Sequence, residues 1–184
     1  MPFDRSILNA IADFGETVTL LPAAIAVALA LVAARRLRDA VAWAVAVVGC
    51  VALTAALKAV FASDALLGGS LRAVGFPSGH AALSVGFYGT LALVALNAAA
   101  PAWAMRLASL ALAALGGIVV YAVWRLHWHA TLDLVGGGAI GVAAMLAYRA
   151  IAAHAALPLR AGAVTIAAGA AIVVLLHGSR LHEE

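Results

Sequence analysis

The sequence predicts an all-α protein: a polytopic membrane bundle of about six transmembrane helices with a short N-terminal interfacial helix. Three observations predict it. Hydrophobic residues fill 66% of the 184 positions and charged residues only 10%, whereas a soluble domain needs about 25% charge to cover its surface. The apolar residues come in runs close to the roughly 20 residues that cross a bilayer as a helix. Alanine, leucine and valine dominate those runs, and small residues let membrane helices pack closely.

The first run extends from about Thr17 to Ala34 and the second from Ala40 to Ala62. The third covers Gly79 to Ala98, the fourth Trp103 to Trp124 and the fifth Leu132 to Ile151. The sixth, Arg160 to His177, is alanine-rich and slightly short. Ahead of them, Phe3, Ile7, Leu8, Ile11 and Phe14 recur at helical spacing, as in a segment lying on the membrane interface. The length suits one domain, residues 1–184. Asp4, Asp13 and Glu16 precede the first run, which does not read as a signal peptide with its basic start. Cys50 is the single cysteine, so no internal disulfide is expected. The net charge of +3 comes without a basic stripe interleaved with aromatics, and nucleic acid is excluded as a partner.

Connections alternate between two sides. One side carries Arg35, Arg36, Arg38, Arg106, Arg149 and Arg160 against Asp39 alone. The other carries Arg5, Lys58, Arg72, Arg125 and Arg180 with most of the acids. The Arg-Arg-Leu-Arg cluster after the first run is the strongest signal, and the positive-inside rule makes that loop cytoplasmic. Both termini and the 63–78 loop then face outward. The expected location is a bacterial inner membrane, with the periplasm or cell exterior on that side.

Ionisable residues at membrane depth are costly and are functional candidates by default. Here they gather at the outward side: Lys58, His80, Arg125, His127, His129 and Asp133. The stretch Gly75-Phe76-Pro77-Ser78-Gly79-His80 opens an apolar run. Proline suits a helix start, serine an N-cap, and glycine a close backbone approach. The unpaired amides of such a first turn suit a phosphate. Alone, the stretch reads equally as a capped helix start followed by a core histidine. Arg125, His129 and Asp133 fall at intervals of four and would share a face if the segment is helical. Asp133 could then hold one nitrogen of His129 and leave the other to attack, the carboxylate's role in triad chemistry. Against this, Arg125 is also an ordinary snorkelling residue beside interfacial Trp124 and Trp128. Lys58 has the same plain reading, but is the only lysine. Asp64 reads as a solvated loop acid and His127 as interfacial. His154, His177 and His182 carry no expected chemistry. No compact ligand motif supports a metal site, and no cofactor is expected.

These residues resemble the phosphatidic acid phosphatase type 2 superfamily of membrane phosphatases. The family's second motif, Pro-Ser-Gly-His, is met by Pro77, Ser78, Gly79 and His80, and the end of its third by His129 and Asp133. Lys58 stands for the lysine of the first motif, but no Arg-Pro follows it. The third motif's arginine falls on Val123, with Arg125 two residues late and no serine before it. The resemblance covers roughly residues 50 to 142. It implies metal-independent hydrolysis of a lipid phosphate or pyrophosphate, with the bilayer-held phosphorylated lipid as partner. His129 would be the nucleophile, Asp133 its orienting carboxylate and His80 the general acid and base. Lys58, Arg125, Ser78, Gly79 and, at a looser spacing, Arg72 would hold the phosphate. Two alternatives stay open: phosphoryl transfer between lipid carriers, and a non-catalytic relative that binds or transports lipid.

Overall fold

The structure, a computed structural model, describes residues 4–66, 75–153 and 156–177, with the side chains of residues 64–66 left aside. Seven helices follow in order: α1 (Arg5–Asp13), α2 (Thr17–Ala33), α3 (Leu37–Leu66), α4 (Gly79–Leu96), α5 (Ala102–Arg125), α6 (Thr131–Ile151) and α7 (Leu159–Leu176). There is no strand among the described residues; one isolated bridge links Ala98 and Leu157. Six helical stretches are long and apolar enough to cross a membrane, and the fold is an all-α polytopic bundle. Large apolar side chains such as Ile25, Leu29, Leu110, Leu132 and Leu175 stand on its surface, as befits helices whose outer solvent is hydrocarbon.

Helix α4 is the axis. In its apolar window 72% is buried, against 22–33% for the other five, and it packs against α2, α3, α5, α6 and α7. Its backbone comes closest to that of α6. A methyl group on Gly137 would collide with the Ser78 carbonyl oxygen, and one on Gly141 would come within 2.8 Å of the Ala82 oxygen and the Gly86 nitrogen. Glycine at these two positions lets the backbones meet, the small-residue packing of membrane helices. The buried Trp43 indole of α3 donates to the Ala24 carbonyl of α2 at 2.9 Å.

Helix α1 does more than lie on a surface. It packs against α5, and Leu8, Ala12 and Asp13 are buried. Asp4 caps it, its carboxylate accepting from the Ser6 amide at 3.0 Å.

The chain reverses between the fourth and fifth runs, as their bounds imply, so the helical face conditionally drawn through Arg125, His129 and Asp133 does not form. Arg125 to Asp133 is not one helix: α5 ends at Arg125 and α6 begins at Thr131. The end of α5 is a Schellman turn, with the Trp128 amide bonding Val123 and the His127 amide bonding Trp124. His127 takes the left-handed φ of 59° that glycine usually supplies there. Helix α2 ends likewise, with Arg35 at φ 58°. Helix α3 runs past Lys58 by two further turns.

Candidate functional site

The N-terminus of α4 lies at the centre of one end of the bundle, the end that also holds the starts of α2 and α6 and the end of α5. Ser78 is its N-cap and accepts from the Ala81 amide at 3.3 Å. The Ser78 amide in turn donates to the Asp133 carbonyl at 2.9 Å. This bond ties the first turn of α4 to the first turn of α6, and so fixes His80 relative to His129. Gly79 faces open space.

Two histidine–carboxylate pairs face each other there. In the first, His129 Nδ1 lies 3.8 Å from Asp133 Oδ2. The same Oδ2 accepts from the Ala130 amide at 3.0 Å, the backward reach of an N3 carboxylate to a helix start. Asp133 is therefore anchored before any ligand arrives, and His129, one residue before the α6 N-cap, is held beside it. In the second pair, His80 Nε2 lies 3.2 Å from Glu16 Oε1. That contact is close enough for an ion pair but not aligned as a hydrogen bond. The two imidazole rings are 6.1 Å apart, and Trp128 meets His80 edge-on at 5.5 Å.

Burial lowers the proton affinity of His129, and the charge of His80 acts the same way. Asp133 opposes both, while Lys58 adds to the lowering. His129 is thus held as the neutral base near neutral pH, and the half-buried Lys58 lies close enough to act on it electrostatically.

Of the residues named from sequence, His80, His129, Asp133, Gly79 and Ser78 come together, with Lys58 facing them from α3. The Ser78 hydroxyl is fully buried in its capping role and does not line the open mouth. Arg125 is exposed at the end of α5 and makes no hydrogen bond or ion pair among the described residues. The Schellman turn breaks the helical face that would have aligned it with His129. Arg72, His154 and His182 lie outside the described residues, as does the side chain of Asp64. His177 stacks on Phe14 at 4.3 Å. Sequence reasoning missed Glu16, counted there only among the acids flanking the first run. Among the described residues no three His, Cys, Asp or Glu side chains converge on a metal-sized site. A further cavity of about 160 Å³, lined by Asn97, Tyr148 and Arg149, opens at the opposite end and holds no such pair.

The class defined by this geometry is a membrane helical bundle with paired histidine–carboxylate dyads at one mouth. Compared with known proteins, the chain matches no family model, no curated protein and no solved structure.

Proposed function

We propose that the protein hydrolyses a lipid phosphate or pyrophosphate through a phosphohistidine, at the outward face of a bacterial inner membrane. The observation that carries this reading is the facing of the two dyads, with rings 6.1 Å apart, at the start of α4. A nucleophile and an acid that face each other across such a gap can act in line on a phosphoryl group held between them. His129 Nε2, the nitrogen turned from Asp133, attacks phosphorus; the P–N bond forms as the bond to the leaving oxygen breaks. His80 gives that oxygen a proton. Water then attacks the phosphohistidine, His80 takes a proton from it, and phosphate leaves His129. Lys58 and the unpaired amides of the first α4 turn offset charge on the phosphoryl oxygens, where most of the catalysis of phosphoryl transfer lies.

A lipid substrate is supported by the groove between α3 and α6. It measures about 230 Å³ and is lined by Val45, Gly49, Cys50, Leu53, Ile140 and Ala144. The same two helices carry Lys58 and Asp133, so a tail in the groove and a headgroup at the mouth share one wall. The reading also accords with the resemblance to phosphatidic acid phosphatases of type 2.

The test is inorganic phosphate release from a panel of lipid monophosphates and pyrophosphates in detergent micelles or liposomes. Release by the wild-type chain is expected, and His129→Ala should lower it by about 10⁴-fold or more while the protein stays folded. The exposed Arg125 and the buried Ser78 hydroxyl favour a second reading, a non-catalytic lipid-binding relative. No release across the panel together with measurable lipid binding would select it.

A further inference from the structure

We propose that Glu16 is the positioning residue of His80, doing for it what Asp133 does for His129. The inference rests on the phosphatase reading for its catalytic consequence, but not for its structural one.

Glu16 occupies the N-cap of α2, where an acceptor side chain ordinarily bonds the first amides of the helix. Its carboxylate makes no such bond. It turns instead to His80 Nε2, 3.2 Å away. That nitrogen is shut off from solvent and has no hydrogen-bond partner among the described residues, so the Glu16 carboxylate is its polar neighbour. Sixty-four positions separate the two residues in the chain, and the turn that carries Glu16 is pinned to α4 twice. The Tyr88 hydroxyl donates to the Phe14 carbonyl at 2.7 Å. A methyl group on Gly15 would come within 2.6 Å of Ser84 Oγ and 2.5 Å of Val119, so the turn sits hard against α4 and α5. His80, Ser84 and Tyr88 are spaced by four and share one face of α4. That face therefore makes both contacts with the turn that delivers Glu16.

The consequence is a choice of nitrogen. With the carboxylate at Nε2, the neutral ring carries its proton there and presents Nδ1 as the base. When the ring is protonated, Nδ1–H becomes the acid while Glu16 stabilises the imidazolium. His80 can then protonate the leaving oxygen in the first step and take a proton from water in the second, at the same atom. Other titratable groups facing the ring are His129 from the α5–α6 connection and, beyond it, Asp133 and Lys58.

The experiment compares wild type, Glu16→Gln and Glu16→Asp in detergent micelles, by ¹⁵N NMR of the imidazoles and by phosphate-release kinetics. In the wild type the His80 signal should show the Nε2–H tautomer. Glu16→Gln should shift it toward a mixture and lower kcat by about 100-fold with KM changed less than threefold. Glu16→Asp should restore part of both. A His80 tautomer unchanged by Glu16→Gln overturns the assignment, whatever the turnover. A shifted tautomer in a chain with no phosphate release from any substrate upholds the pairing and removes the phosphatase reading instead.

Discussion

The two ends of the bundle treat charge in opposite ways. At the end where α2 gives way to α3, Arg36, Arg38 and Asp39 are all matched. Arg36 Nε lies 2.6 Å from Asp39 Oδ2, and Asp39 Oδ1 accepts from the Ala153 amide at 2.8 Å. Arg38 Nε donates to the Ile151 carbonyl at 2.7 Å, satisfying one of the acceptors that a helix end leaves over. Short, aligned bonds to the backbone make this end an architectural lock between α3 and the end of α6. At the other end the contacts are looser. His129–Asp133 stands at 3.8 Å and His80–Glu16 at 3.2 Å without alignment. Saturated polar networks fix a fold, whereas loosely met titratable groups leave capacity for a ligand and for proton movement. Arg36 and Arg38, two members of the Arg-Arg-Leu-Arg cluster, are thus also rivets of the fold.

The largest effect that sharpens this contrast is expected at Asp133. Asp133→Asn should lower kcat/KM by about 10²–10⁴-fold, because His129 loses the carboxylate that holds its tautomer and stabilises its charged form. The pH profile carries a sign. On the proposed mechanism His129 attacks in its unprotonated form, and burial already lowers its proton affinity, so the wild-type acid limb should lie below the ordinary histidine value of about 6.5. Asp133 raises that affinity. Its removal should move the acid limb to still lower pH even as the rate falls. An acid limb that moved upward would break the pairing of these two residues.

The matched end should respond in stability alone. Asp39→Asn turns a bidentate acceptor, 3% exposed, into a group that must aim an N–H at either Arg36 or the Ala153 amide. A loss of about 2–3 kcal/mol is expected, read as a lower melting midpoint in detergent. Phosphate release per folded molecule should stay within about twofold. A fall in kcat with an unchanged midpoint would erase the distinction between the two ends.

Much of this was legible in the sequence, and the reasons differ by feature. Six spans could be read because apolar run length is a one-dimensional property, and the run bounds agree with the helices to within a few residues. His80 could be singled out because Pro-Ser-Gly precedes it, and His129 with Asp133 because a spacing of four is a local signal. Glu16 could not. It belongs to the site only through the fold, by a turn docked on α4 through Tyr88 and Gly15. The docking of α1 on α5 was hidden for the same reason, since an apolar face predicts burial without naming what covers it. The break between α5 and α6 was legible in the run bounds, but its left-handed turn was not, because Leu126 to Ala130 contains neither glycine nor proline. A histidine fills the left-handed position instead.

That break leads to the smallest expected effect, at Arg125. If α5 had continued through His129, Arg125 would stand on the same face and point at the same anion. With the chain reversing at His127, the guanidinium ends exposed on the last turn of α5, where a basic residue meets the negative end of the helix dipole. Arg125→Ala should therefore change kcat/KM by no more than about threefold, the scale of an exposed charge acting at a distance. The measurement is the same phosphate-release assay, run at low and at moderate salt, because a remote charge loses its influence within a Debye length of about 8–10 Å. A 100-fold loss insensitive to salt would mean that the arginine touches the phosphoryl group. The site would then draw a ligand from α5 as well as from α3, α4 and α6, and the loose end would be one charge closer to the matched end than its present contacts make it.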